Sequence, residues 1–279
     1  MRVKAALALT FLLAGCGSAP PASQDPPRLK AALEAESDGA RRYARGELSG
    51  AGRRFDEAAR LFAAIDDNLG VARNRLHGAR VELARGEAEA ALRAVADAER
   101  RSGGMDIDSL LLGAQARIAL GQRAEAQQSL VAAERLCHEC PHRPGLRLLQ
   151  GRLALAEGRA AEALARAEAA LAEIKDIAGA EAGNAWRLAA AARLAAGDAV
   201  SAQPAAERAL AIDRRLGAPE KIAGDWMLLG DIRRRNGNAD AAAAYRRALD
   251  VAAAAGLAAV AARAEAALAG LDAGPGAVR

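Results

Sequence analysis

Two of the chain's three cysteines and two of its three histidines fall within ten residues, in the run RLCHECPHRP from Arg135 to Pro144. Cysteine and histidine at such spacing can attach haem, bind zinc, cycle between thiol and disulfide, or close a static loop. Haem attachment of the c type needs Cys-x-x-Cys-His, so that an imidazole reaches the iron while both cysteines hold the vinyl groups. Here Pro141 occupies that place and His142 comes one residue late, which argues against haem. Zinc has three candidate ligands in Cys137, Cys140 and His142, with His138 or Glu139 as a strained fourth. No second Cys-x-x-Cys or histidine pair exists to complete a tetrahedron from a distant segment, and His77 is far away in the chain. The choice among these chemistries depends on the compartment and on the elements that position the run.

The compartment is indicated by the first sixteen residues. Met1 to Lys4 form a short basic start, followed by an apolar run from Ala5 to Ala14 that is too short to span a bilayer and reads as a secretory signal over residues 1–15. The run ends in Leu13-Ala14-Gly15-Cys16, which resembles the lipobox of bacterial lipoproteins. The resemblance implies cleavage before Cys16 and acylation of that residue. Gly17, where an aspartate would imply retention at the inner membrane, points to an outer-membrane lipoprotein facing the periplasm. Residues 16–27, rich in Pro, Ser and Ala, cannot bury a core and read as a flexible tether. Membrane association is expected through the lipid anchor only.

Composition excludes other roles. The chain has 39 Lys plus Arg against 35 Asp plus Glu, the signs alternate along it, and with 3 Phe, 2 Tyr and 2 Trp it has no aromatic set for stacking bases. Nucleic acid is not an expected partner. There is no Gly-x-Ser-x-Gly, His-Glu-x-x-His or phosphate-binding Gly-x-x-x-x-Gly-Lys-Ser/Thr run, so no enzyme activity and no cofactor are expected.

From Arg28 onward the chain is rich in Ala, Leu, Arg and Glu and lacks sustained period-2 alternation, which predicts an all-α fold. It also repeats. Glycines at 86, 121, 158, 197 and 237 share flanking small residues at fixed offsets. Seven before them come Ala79, Ala114, Gly151, Ala190 and Gly230; five after come Ala91, Ala126, Ala163, Ala202 and Ala242. Twelve after come Ala98, Ala133, Ala170 and Ala209, and Leu249 breaks the column. With 80 alanines, composition alone could supply some of these, but not five glycines in register with them. Seven residues is close to two helical turns, so each column is one stripe of a helix where two backbones can approach closely. Each glycine ends the first helix of a hairpin in the left-handed region. Leu83, Ile118, Leu155 and Leu194 lie three before the glycines, and Leu112, Leu149, Leu188 and Leu228 nine before, with His77 in that second column packed rather than catalytic. Trp186 and Trp226, each eleven before its glycine, read as core.

This spacing resembles the tetratricopeptide repeat, a pair of antiparallel helices with small residues at three fixed positions and a glycine in the turn. The run WMLLGDIRRRNG (Trp226 to Gly237) is close to its first-helix pattern, and FDEAARLF (Phe55 to Phe62) is close to its second, suggesting a degenerate first repeat. The expected first-helix tyrosine and most closing prolines are absent. The expectation is a superhelical solenoid of about six hairpins over residues 28–256, a capping helix over 257–271 and a disordered tail over 272–279. Pro204 should fall inside the fifth second helix, so that either Ser201 is the true N-cap or the helix kinks.

Placed on this frame, Cys137 ends a helix, where the dipole raises a thiol pKa instead of lowering it. With Cys16 acylated, two cysteines three residues apart remain in an oxidising compartment, and the arithmetic favours a Cys137–Cys140 disulfide. A superhelix of hairpins has a concave face lined by first helices, and proteins resembling this family hold peptides or partner helices there. The candidate partner-binding residues on that face are Arg73, Arg80, Arg152, Arg187 and Arg234, which together would suit an acidic peptide. The chain has only four lysines, so an arginine-for-lysine bias would give the same pattern. The resemblance implies a lipid-anchored periplasmic scaffold binding a protein or peptide in pilus or secretin assembly, outer-membrane protein insertion or peptidoglycan machinery. The alternative is a periplasmic metal- or redox-active protein using Cys137, Cys140 and His142.

Overall fold

A computed structural model describes residues 26–272; the expected signal segment, Cys16, nearly all of the tether and the end of the tail lie outside the described residues. The described residues form thirteen α-helices and no strand: α1 (Pro27–Ala44), α2 (Leu48–Ala63), α3 (Asn68–Arg85), α4 (Ala88–Ser102), α5 (Ile107–Ala119), α6 (Arg123–Leu136), α7 (Arg143–Ala156), α8 (Ala160–Glu173), α9 (Ala180–Ala195), α10 (Ala199–Leu216), α11 (Pro219–Arg235), α12 (Ala241–Ala254) and α13 (Ala258–Asp272). Twelve of them pair in sequence as six antiparallel hairpins, each stacked on the next, and α13 covers the end of the stack.

The turn within each hairpin repeats one hydrogen-bond device. Gly86, Gly121, Gly158, Gly197 and Gly237 all have φ between 67° and 86°. The residue after each donates its N–H five residues back, as in Glu87 to Glu82 O (2.8 Å), Gln122 to Arg117 O (2.9 Å) and Asp198 to Arg193 O (2.9 Å). This satisfies a carbonyl that the helix end leaves open and reverses the chain. Gly46 does the same at φ 75°, with Glu47 N–H donating to Arg42 O at 3.0 Å. Gly39, Ala51 and Ala58 hold the flanking positions of that first hairpin and are buried. The first repeat therefore keeps the register of the others.

The small-residue columns are where helices touch. Ala79, Ala114 and Ala190 before the glycines, and Ala91, Ala126, Ala163 and Ala202 after them, are all fully buried. A Cβ on Gly39 would lie 2.8 Å from the Phe55 ring, and one on Gly230 would overlap the fully buried Tyr245 ring. The last hairpin departs from the expected column. Helix α12 starts four residues after its glycine, whereas α4, α6, α8 and α10 start two after. The two extra turn residues move the stripe along by two, so Ala244 takes the buried place expected for Ala242, which is only half-buried.

Pro204 also resolves differently from either expectation. Asp198 is the N-cap of α10, its carboxylate accepting from Ser201 N–H at 3.0 Å, and Pro204 lies within the continuous helix. The carbonyl that loses its partner belongs to Val200, an exposed residue, where water can serve it. At the end of the stack, Ala264 of α13 is fully buried against the cluster of Trp226, Leu229 and Tyr245, with Val260, Leu268 and Leu271 around it.

One polar network crosses the core. Arg187 of α9 donates to Asp213 of α10 and, through Nε at 2.6 Å, to Asp225 of α11, and both carboxylates are fully buried. Gly183 leaves room for it, since a Cβ there would lie 3.1 Å from Asp213 Oδ1. One guanidinium faces two carboxylates, and burial, only partly opposed by Arg187, pushes the Asp225 carboxyl up to about 7, with the Asp213 charge acting in the same upward direction. A carboxyl raised in this way binds its proton more tightly in the folded than in the unfolded chain. Its contribution to stability is fully present below its ordinary value of 3.8 and is lost as pH rises to about 7.

Two outcomes are expected in thermal or urea unfolding. Gly230→Ala loses about 2–3 kcal/mol by driving a methyl into the Tyr245 ring, while Gly78→Ala, in mid-helix with nothing within 4 Å of the added carbon, gains about 0.5–1 kcal/mol. Equal responses at the two sites would show that the small column does not control helix approach. Asp225→Asn supplies an amide that donates to Asp213 and accepts from Arg187, as the protonated acid does. It flattens the stability profile between pH 5 and 8 and stabilises the protein at pH 8 by about 1–3 kcal/mol; an unchanged slope would count against the shifted carboxyl.

Candidate functional site

Because the second helices pack outward, the first helix of each hairpin faces the inside of the superhelix. A cavity of about 640 Å³ lies there, lined by residues of α3, α5, α7, α9 and α11 together with Tyr43 of α1 and His142. Its apolar wall comes from the columns nine and three before the turn glycines: Leu112, Leu149, Leu188, Leu83 and Leu155, joined by Leu111 and Leu148. These residues serve two surfaces at once, packing helix on helix and presenting their free edges inward. The concavity is closed on one side by the chain itself. The turn after α1 meets the start of α11, so that a Cβ on Gly46 would lie 2.8 Å from Pro219 Cδ. Burial and the nearby Glu220 charge raise the Tyr43 phenol above its ordinary value at this junction.

The structure brings Arg80, Arg152 and Arg187 to this cavity and leaves Arg73 and Arg234 outside its lining. Arg73 turns to α1, where it holds Glu36 through two hydrogen bonds of 2.7 and 2.9 Å and lies over the Phe62 ring. Arg234, exposed in the last turn of α11, pairs with Asp231 at 3.6 Å. Arg80 is spoken for as well: it donates to Asp108 at 2.8 Å and to Nδ1 of His77 at 2.9 Å. His77 stacks on Phe55 at 4.9 Å, and burial, with the Arg80 charge beside it, holds its imidazole below the ordinary range. Arg187 is committed to the buried Asp213 and Asp225 and also donates to Asn184 at 2.9 Å.

Arg152 differs from these four. It lies deep in the concavity yet exposed to water, and among the described residues no carboxylate is within ion-pairing distance of its guanidinium. On the α11 side burial pushes the Glu220 carboxyl up, against the pull of the adjacent Lys221. The partners that matter most here, Asp213 and Asp225, were not among the expected site residues. For Asp225 a signal was available in the sequence as a lone acid inside an apolar run, IAGDWMLL, whereas Asp213 is followed directly by Arg214 and Arg215 and reads as an ordinary surface acid.

The cysteine run lies beside this cavity. Cys137 and Cys140 are joined as a disulfide with a Cα–Cα separation of 5.0 Å, and the Cys137 side chain is buried with Leu146, Leu149 and Leu153. Both sulfurs are used by that bond, which removes them as thiolate ligands or nucleophiles. His142 is the residue before α7 and faces the cavity. Among the described residues no three His, Cys, Asp or Glu side chains gather as a metal ion would require.

No family model matches the chain, and no curated protein resembles it in sequence. Solved structures do match. The chain superposes with a TM-score of 0.62 on a Rap protein complexed with competence and sporulation factor, at 13% identity over 89% of this chain and 76% of that one. It superposes with a TM-score of 0.61 on the APC/C hetero-tetramer Cut9-Hcn1, at 15% identity over 84% of this chain, spanning only 43% of that chain's length. At such identities the likeness concerns the path of the backbone, and it establishes that this chain is folded as a tetratricopeptide-like superhelix of helix hairpins.

Proposed function

We propose that this protein is a lipid-anchored periplasmic adaptor that holds a protein partner against its concave face and contributes to assembling a complex at the cell envelope. The observation that carries the reading is the concavity itself: five first helices turn a strip of leucines and polar side chains inward. The Rap protein matched above is complexed with competence and sporulation factor, and a superhelix of helix hairpins offers its concave face for binding a partner. The anchor rests on Leu13-Ala14-Gly15-Cys16, and among the described residues no helix is long and apolar enough to cross a membrane. Two or three acyl chains on Cys16, at about 0.8 kcal/mol per buried methylene, would hold the protein at a bilayer surface.

The electrostatics refine what the partner must offer. Four of the five candidate arginines already hold carboxylates of this chain, so the inner face is not a basic ladder for a polyacidic segment. Partner recognition then rests on shape and apolar contact, with charge contributing through Arg152 and Lys221 on one hand and Glu181 and Glu220 on the other.

Photo-crosslinking in cells tests the adaptor reading. A crosslinking residue at Gln115 or Lys221 on the inner face is expected to trap one protein partner, while the same residue at Val200, exposed on α10, traps none. No product, or the same products from both faces, would defeat it. Cys16→Ser is expected to move the protein from the membrane to the soluble fraction of a Gram-negative host and to abolish incorporation of labelled palmitate; retention in the membrane would refute the anchor.

A further inference from the structure

A second hollow, of about 600 Å³, lies between the end of α8 and the last turns of α10, with Ala182 and Trp186 of α9 in its wall. Helices α8 and α10 both start two residues after their turn glycine, but α10 runs one turn further, to Leu216, and the loop of residues 174–179 lies beside that extra turn. The lining is apolar apart from the Arg208 and Arg215 guanidinia and the Trp186 indole, over which Arg208 lies at 4.5 Å. Among the described residues neither arginine has an ion pair. The carboxylates of α8 are engaged elsewhere: Glu162 by Arg159, Glu168 by Arg193, and Glu173 by Arg143 and Arg147. Across the loop, α10 and α12, six exposed cations (Lys175, Arg208, Arg214, Arg215, Arg246 and Arg247) stand against the exposed Asp176, Glu207 and Asp250. Of these three, Asp176 accepts from the Ala178 N–H and Glu207 from Gln203.

This lining offers hydrogen-bond donors and no acceptor side chain. A phosphate brings only acceptors, and an acyl chain has no polar group to satisfy. An extended peptide would bring N–H groups for which the lining has no side chain to accept them. The apolar residues also project: Ile177 is 77% exposed on its loop and Leu216 is 40% exposed at the end of α10. A protein partner would need a fitted hollow for each, whereas a bilayer receives them directly, with arginine at the level of the headgroups. The geometry points to a peripheral membrane-binding patch for a bilayer containing anionic phospholipid: Ile177 and Leu216 enter the acyl boundary, and Arg208 and Arg215, beside Trp186, pair with headgroup phosphates.

The patch lies where the anchor can bring it to a membrane. First helices all start, and second helices all end, on one edge of the stack, so Pro27, the loop 174–179 and Leu216 share that edge. The turn after α1, on the opposite edge, meets Pro219, which places the start of α1 about one helix length, roughly 27 Å, from the end of α10. Residues 16–26, fully extended, reach about 36 Å. The inference rests on the anchor reading for this proximity alone, and it leaves the concave face open to a protein partner.

The test is sedimentation of the full chain carrying Cys16→Ser, which takes no acyl group, with vesicles of phosphatidylcholine alone or with about one-third phosphatidylglycerol. Binding is expected to the phosphatidylglycerol vesicles, to be weaker on phosphatidylcholine, and to fall as salt rises. Arg208→Gln with Arg215→Gln should weaken it about 10- to 30-fold, and Ile177→Ser about 10-fold. Arg100→Gln with Arg101→Gln, which removes the same charge from α4, should leave it unchanged. No binding to phosphatidylglycerol vesicles, equal binding to both kinds, an unaffected Ile177→Ser, or equal losses in the two double variants overturns the inference. So does binding of a repeated Leu-Leu-Glu-Glu peptide, sensitive to the Arg208 and Arg215 changes, in the absence of vesicle binding; that result would assign the patch to a protein helix. If the Cys16→Ser chain ignores vesicles while the unaltered chain incorporates palmitate and stays in the membrane, the anchor stands and this inference fails.

Discussion

The structure depends on how closely two helix backbones may approach at the position seven residues before each turn glycine. Where that position is glycine, a bulky group lies directly on the backbone: Phe55 on Gly39, Leu188 near Gly151, Tyr245 on Gly230. Where it is alanine, at Ala79, Ala114 and Ala190, the methyl itself is fully buried. A larger side chain would hold the helices apart and break the stacking of one hairpin on the next. With the approach fixed in each hairpin, the inward direction of every first helix follows, and with it the leucine-walled cavity.

Stacking also determines what the arginines do. In a layered solenoid each unit contacts mainly its neighbours, so charges that could face solvent in an isolated helix find partners one layer away. Arg73 reaches back to Glu36 of α1, Arg80 forward to Asp108 of α5, and Arg187 forward to Asp225 of α11. The exposed pairs each contribute little to stability. The Arg187 network is different in kind, because its two carboxylates have no access to water and one cation cannot neutralise both. The pairing consumes much of the positive charge of the inner face and leaves, among the described residues, Arg152 and Lys221 without an ion pair.

The disulfide has a comparable place in the scheme. It closes a loop of few residues between α6 and α7, so it removes little unfolded-state entropy. Its effect is local: Cys137 packs into the core with Leu146 and Leu149, and the loop it shapes delivers His142 to the rim of the cavity.

Much of the architecture could be read from residue spacing, because the interactions that set it are local. A glycine in the left-handed region, alanines two turns apart and leucines at fixed offsets act within one hairpin, and a one-dimensional pattern records them. The same locality explains why Gly39, Gly46, Ala51 and Ala58 carry the signature of a first repeat that seemed degenerate, and why two extra turn residues were enough to shift the stripe to Ala244. The site was legible only in part. That Arg80, Arg152 and Arg187 would share a cavity follows from their first-helix placement, but which of them is free does not. Charge pairing is decided between layers, across 38 residues from Arg187 to Asp225 and 28 from Arg80 to Asp108, and the Gly46 to Pro219 contact that closes the concavity spans nearly the whole stack. Such distances depend on the accumulated twist of many hairpins, a quantity that no single repeat encodes, so only the tertiary structure could decide them.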